Sequence, residues 1–408
     1  MIIHFWELPK TRNYIILKDR FKQDILKKIK NKDSSNEIVN KLKTGKVSIQ
    51  KIKILSKKKN ISLSLIEQNI LWIGGNNSKG LSNPKFPINL STRNASRFIA
   101  AIINDGTLTK EGKNSRGRLM YDNFDESLRS SVLKDCLIVF GGKREEIAFR
   151  NTKKKKYLEF SSVLRDIVYL ILKNKGPKCE TNLPLPDFVF ENKESMCGWI
   201  EQTIADEGEV KYYPDKYRRS IIWRRSLDIT PLIRFRVTKD IPLRRLSKKI
   251  QNKVQNQRCN LISNEEKILR LLGIGYTLYN LGIYPTAKNK VRTRWQISIT
   301  KRRNLLKLRD LIKIPSESKD RKFNLITKEY ARYKEPLAIR SAVINLGKGG
   351  KPFTSLDLKK MMDYKETNTS IKWLKLFEKE GLIKKIKESS YGGGSYRKPA
   401  EYEITPNR

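Results

Sequence analysis

Apolar residues recur at helical spacing in two runs that end alike. Phe98 to Gly106 reads FIAAIINDG and Ile200 to Gly208 reads IEQTIADEG, each an apolar helical run closed by an acid and then a glycine. A carboxylate in the last turn faces the negative end of the helix dipole, so something positive must compensate it. The glycine is expected to take the left-handed conformation that stops a helix. Two acids, Asp105 and Glu207, carried by the ends of two such helices would make a site for a hard divalent cation.

The patterns that follow each run share one order. After the first come extended segments in which Arg116 and Arg118 alternate with Gly117 and Leu119. A helix over 124–140 follows, through Leu128, Val132, Leu133 and Cys136. Residues 145–150 and 156–160 flank the lysine run Lys153 to Lys156 as a hairpin would, and a helix over 162–173 closes the unit. The order returns after Pro184, with strands at 209–213 and 219–225, a helix around Glu265 to Leu272, strands at 275–284 and 290–300, and helical patterns over 302–314. Two halves on one plan, about a hundred residues apart, amount to a duplication of architecture.

Alternation is clearest at 292–299. Trp295, Ile297 and Ile299 would face a core, and Arg292, Arg294, Gln296 and Ser298 would share the other face. An arginine and glutamine face suits base edges in a major groove; a plain solvent-facing strand is the alternative. Positive charge recurring on several strands favours DNA.

Residues 1–84 read as helical. Ile38, Val39 and Leu42 lie on one helix, Ile49 to Lys59 forms a second, Asn60 to Ser62 a turn, and Leu63 to Ile70 a further segment, a helix-turn-helix-like arrangement or a small helical cap. Gly74 to Pro84 reads as a linker. At the other end, a charged bridge from Ser316 to Glu335 leads to a unit within 326–408. Leu337 to Leu346 is one helix, Thr354 caps a second with Asp357 as in a capping box, and Asn368 to Glu380 is a third. Strands at Leu382 to Lys387 and Pro399 to Ile404 surround the SSYGGGSYRK loop, giving a winged-helix-like unit suited to DNA or to protein docking.

Composition narrows the chemistry. The 408 residues carry a net charge of +45, which points to a polyanion, nucleic acid before membrane. No apolar run approaches the ~20 residues of a spanning helix, and there is no signal-peptide core, so a soluble intracellular protein is expected. The cysteines at 136, 179, 197 and 259 are too scattered for a zinc site or a disulfide framework. With His4 the only histidine, catalysis must rest on carboxylates and bases.

The two acid-terminated runs resemble the motif of the LAGLIDADG homing endonucleases. FIAAIINDG matches in its apolar frame, at Ala100, and at Asp105 and Gly106; IEQTIADEG keeps Ile204, Glu207 and Gly208, with FPINL before the first motif and LPLPDFVF before the second. The resemblance covers about residues 85 to 325. It implies an α+β fold of two pseudo-symmetric αββαββα halves, 85–183 and 184–325, forming a DNA-binding β-saddle in a single chain that acts as a monomer. It further implies a metal site of Asp105 and Glu207 with Gly106 and Gly208, holding Mg2+ or Mn2+, and catalytic lysines at Lys178 and Lys319. The saddle contacts to double-stranded DNA would come from Lys110, Arg116, Arg118, Arg150, Lys211, Arg218, Arg224, Arg292, Arg294 and Gln296. The expected activity is cleavage of both strands at a long site, in an intron-homing context. The alternatives are a DNA-binding regulator that has lost cutting and an intron-splicing maturase. The sequence departs from the family at Gln202 and Asn104, which stand where small residues usually pack the two helices. Gly282, Ile283 and Tyr284 begin another nuclease motif that is not completed, and read as strand.

Overall fold

The structure is a computed structural model of the chain. It describes all residues except 10–11, 30–35, 76–78, 110–116, 153–154, 174–177, 214–217, 234, 287–288, 333–335, 365, 392–396 and 406–408. Its contacts divide into two units, Met1–Thr327 and Lys328–Arg408. Both contain helices and antiparallel sheets, an α+β composition. Among the described residues no helix is long and apolar enough to cross a membrane.

Two helices, Arg93–Asp105 and Lys193–Glu207, pack against one another at the centre of the first unit. Each starts at a side-chain cap, Thr92 accepting from the Ala95 amide and Asn192 from the Ser195 amide, which satisfies an otherwise unpaired N–H of the first turn. Gly198 lets the backbones approach: a Cβ there would lie 2.3 Å from the Arg93 carbonyl oxygen. Each helix runs directly into the first strand of a four-stranded antiparallel sheet. The first sheet takes the order Gly106–Leu108, Leu119–Asp122, Lys156–Phe160, Ala148–Asn151; the second takes Gly208–Tyr213, Arg218–Asp228, Val291–Ile299, Thr277–Pro285. Both therefore run first, second, fourth, third.

The interiors of the halves differ. Phe98 meets Phe140 and Phe160 edge-on in the first, with ring centroids 5.1 and 5.4 Å apart. In the second, the indole N–H groups of Trp199 and Trp223 both donate to the buried carboxylate of Glu265. Along Val291–Ile299 Trp295, Ile297 and Ile299 are buried and Arg292, Arg294 and Gln296 alternate with them as the sequence predicts, but Ser298, expected on the open face, is buried as well.

Three expectations change. The stretch read as a charged bridge is a helix, Glu317–Arg332, because Phe323, Ile326 and Thr327 recur at helical spacing and are buried while the charges occupy its other faces. The N-terminal segment is not only helical. Val47–Ser48, Tyr14–Leu17, Ile70–Gly74 and Leu81–Ser82 form a four-stranded sheet, so part of the expected linker is a strand paired with Trp72 and Ile73. Strands this short carry too few alternations to stand out from helical patterns. Buried Asp166 ties this segment to the first half, accepting from Arg12 at 2.7 and 3.2 Å and from Asn13 at 2.9 Å.

In the second unit, Pro336–Leu346, Ser355–Met362 and Thr367–Lys379 are helices, and Phe353–Thr354, Glu401–Ile404 and Ile383–Lys387 form a sheet in that order. The Thr354–Asp357 capping box is present. Ile339, Val343, Leu358, Leu374 and Phe377 belong to one buried cluster.

Candidate active site

Gly106 and Gly208 do not take the expected left-handed conformation. Their φ values are −86° and −89°, extended backbone that opens the first strand of each sheet without a break. Glycine is needed for space: a Cβ would fall 2.4 Å from the Ile102 carbonyl oxygen and 2.5 Å from that of Ile204. The chain thus turns from helix to strand within one residue, leaving Asp105 and Glu207 half-buried at the turn.

Sheet register shows how each acid is held. Gly106 pairs with Tyr121 and Gly208 with Trp223, so Asn123 and Arg225, each two residues further on, hold equivalent places. Asn123 Nδ2 donates to Asp105 Oδ2 at 3.0 Å, and Arg225 Nη1 to Glu207 Oε1 at 3.2 Å. Arg225 also pairs with Glu265 at 2.6 Å, and both side chains are buried. Burial alone would favour a neutral guanidine, but the charges of Glu265 and Glu207 outweigh it and hold Arg225 cationic.

Between the helices lies a polar seam, with Gln202 and Asn104 at positions where close helix packing would favour small residues. Asp206 accepts from Tyr121 Oη at 2.7 Å, Gln202 Nε2 at 2.9 Å and Asn104 Nδ2 at 3.2 Å. Burial first, and then the charge of Asp105, push the Asp206 carboxyl up to about 7 against those three hydrogen bonds. Gln202 Oε1 is buried with no hydrogen-bond partner among the described residues. At the other end of the seam Arg93 binds Glu201 and Glu194, and Arg97 binds Asp135 and Glu201.

Lys319 supplies the positive charge that the second helix end requires. Its Nζ donates to two carbonyls of the last turn, that of Ala205 at 2.5 Å and that of Ile204 at 3.2 Å, the latter also accepting the Gly208 amide. Burial lowers its pKa while Asp206, Asp105, Asp125 and Glu207 pull it up, so this ammonium lies in the field of acids from both halves.

The remaining predicted residues distribute as follows. Lys110 and Arg116 lie outside the described residues, as do the side chains of Lys178 and Arg218. Arg118 and Arg150 are exposed, both 3.6 Å from Glu159. Lys211 lies 3.5 Å from Glu209. On the outer face of the second sheet Arg224 Nε donates to Gln296 Oε1 at 2.9 Å, Arg294 covers the Tyr284 ring at 4.2 Å, and Arg292 faces Asp228 across the strands. Sequence reading missed Asp206, Tyr121, Asn123, Arg225 and Glu265. One signal was available for Arg225: Ile221, Trp223, Arg225 and Leu227 alternate on one strand, which places the arginine on the buried face.

Carboxylate and carbonyl oxygens at the two helix ends are the donors a hard divalent cation takes. Among the described residues no three His, Cys, Asp or Glu side chains gather as a ligand set, so water and ligand oxygens would have to complete the shell.

No family model and no curated protein matches the chain by sequence. Solved structures with a measure of likeness include the N-terminal LAGLIDADG domain of DUF199/WhiA, at 10% sequence identity and a TM-score of 0.28, covering 56% of this chain and 86% of that one. Another is the homing endonuclease I-WcaI bound to its DNA recognition sequence, at 13% identity and a TM-score of 0.28, covering 55% of this chain and 82% of that one. Similarity at this level assigns the chain neither a family nor an activity.

Proposed function

We propose that the chain is a divalent-metal-dependent DNA endonuclease of LAGLIDADG type, acting as a single chain with one acid from each half. One observation carries this reading: two paired helices end in acids, each acid opens a sheet of the same strand order, and each is held from the same register position. Asp105 and Glu207, with the backbone of Gly106 and Gly208, would hold magnesium or manganese. Such an ion would polarise a phosphodiester and lower the pKa of a bound water. Asn123 and Arg225 would fix the two carboxylates. Lys319 would place positive charge where the leaving oxygen develops negative charge. The outer face bearing Arg224, Arg292, Arg294 and Gln296 would meet DNA, phosphate contacts setting affinity and base edges setting sequence preference. The C-terminal unit, read as a winged helix, would add a further reader.

The test is cleavage of a randomised duplex library with magnesium or manganese. The native chain is expected to cut, and the Asp105→Asn/Glu207→Gln double variant to bind with native affinity without cutting. Metal-dependent cleavage retained by the double variant would overturn the assignment.

A regulator that binds DNA without cutting is the second reading. What favours it is the engagement of Glu207 by Arg225 and the polar seam of Gln202, Asn104 and Asp206. It predicts specific, metal-independent binding and no nicks from the native chain.

A further inference from the structure

The two ends of the chain are built alike. In the C-terminal unit a helix leads to the strand Phe353–Thr354, the helices Ser355–Met362 and Thr367–Lys379, and the strand Ile383–Lys387. In the N-terminal segment the helix Asn36–Thr44 leads to the strand Val47–Ser48, the helices Ile49–Lys59 and Leu63–Gln68, and the strand Ile70–Gly74. In both, the first helix of the pair springs directly from the strand and is capped by the hydroxyl of the strand's last residue. Ser48 accepts from the Lys51 amide, and Thr354 from those of Leu356 and Asp357. In both, that helix stops at a left-handed residue with φ 50° and ψ 46°, Asn60 in one and Asp363 in the other.

The segments differ in where the middle strand comes from. In the C-terminal unit it is Glu401–Ile404, after the helices; in the N-terminal segment it is Tyr14–Leu17, before them. Each is antiparallel to both neighbours: Ile15 faces Val47 on one side and Ile73 on the other, and Tyr402 likewise faces Phe353 and Lys385. Apart from Leu81–Ser82 at the edge of the N-terminal sheet, the same three strands are therefore closed from opposite ends of the sequence, the relation of a circular permutation.

We infer that the N-terminal segment is a permuted copy of the C-terminal helix-turn-helix module, and that the surface around Leu63–Gln68 docks on duplex DNA. Charge selects this partner. From Ile38 to Ile66 there are eight lysines and no acid, two of the lysines, Lys41 and Lys51, pairing with Glu37 just before the run. Lys57 and Lys58 are exposed at the end of the first helix, beside the turn. The outer side of the second helix shows Ser62, Ser64 and Gln68, short or hydrogen-bonding side chains that can approach a groove, together with the apolar Leu65, while Ile66 and Glu67 face inward. Glu67 accepts the Phe5 amide at 3.1 Å, which fixes the helix on the protein. An unbroken run of one charge sign suits a phosphate backbone and disfavours most protein surfaces. The inference rests on the proposed function only in taking DNA as the ligand.

The experiment uses the full chain, a random-sequence duplex and a chelator, so that cutting plays no part. Lys57→Ala/Lys58→Ala is expected to flatten the slope of log affinity against log salt by ~0.9 for each lysine removed. Ser64→Glu should weaken binding, and thermal unfolding of both should stay native. The pair Lys27→Ala/Lys28→Ala, exposed on the helix Asp19–Lys28, should leave the slope unchanged. An unchanged slope in the folded Lys57/Lys58 variant, or an equal change in the Lys27/Lys28 variant, overturns the surface. A native chain that does not bind duplex at all overturns the proposed function as well.

Discussion

Arg225 sits with 2% of its side chain exposed, between a fully buried carboxylate and a half-buried one. Removing the guanidinium would strand the Glu265 charge in the core, where, among the described residues, the indole N–H groups of Trp199 and Trp223 remain to it. Arg225→Met is therefore expected to lower stability by about 3–5 kcal/mol in urea unfolding, and Arg225→Met/Glu265→Gln to recover part of that loss. The two motif glycines behave differently. Their φ values suit any residue, so the penalty for a side chain is contact with a carbonyl oxygen rather than backbone strain. Gly106→Ala and Gly208→Ala should each cost about 1–3 kcal/mol by the same measurement. The acids and glycines were legible because the motif shows them together. Asp206 was not, because its significance comes from Tyr121, Gln202 and Asn104 converging on it across two helices and a strand.

At the scale of elements, the helix Glu126–Phe140 begins at Asp125, whose carboxylate accepts from the amide and hydroxyl of Ser127 and from Ser316 Oγ. Burial opposes ionisation there, but these bonds prevail and hold the carboxyl below its usual range. The stability it contributes is therefore complete above the unfolded pKa near ~3.9 and is lost as pH falls through the lower folded value. Asp125→Ala should be less stable by about 1 kcal/mol near neutrality, and the gap should close below that range in thermal scans across pH. Helices with one broad apolar face were readable from spacing. Glu317–Arg332 was not, since its charged residues outnumber the Phe323 and Ile326 that anchor it, yet it carries Lys319 to the second helix end. The strand Tyr14–Leu17 finds its partners at Val47 and Ile73, far along the chain, and its own few residues do not announce them.

For the whole molecule, the duplicated order of elements was readable, because two halves repeat it at a fixed distance. The division at Thr327 and Lys328 follows from contacts instead. Since the second unit has its own buried cluster, the full chain is expected to unfold in two calorimetric transitions, and a chain ending at Thr327 to lose one of them. Repetition has not made the halves equal. A neutral amide steadies Asp105, whereas Glu207 leans on a guanidinium shared with the core, beside an ammonium that caps its helix. Two unlike environments do not react in step. On the proposed function, a supercoiled plasmid should accumulate as an open circle before linear product appears, with its single break on the same strand in every molecule.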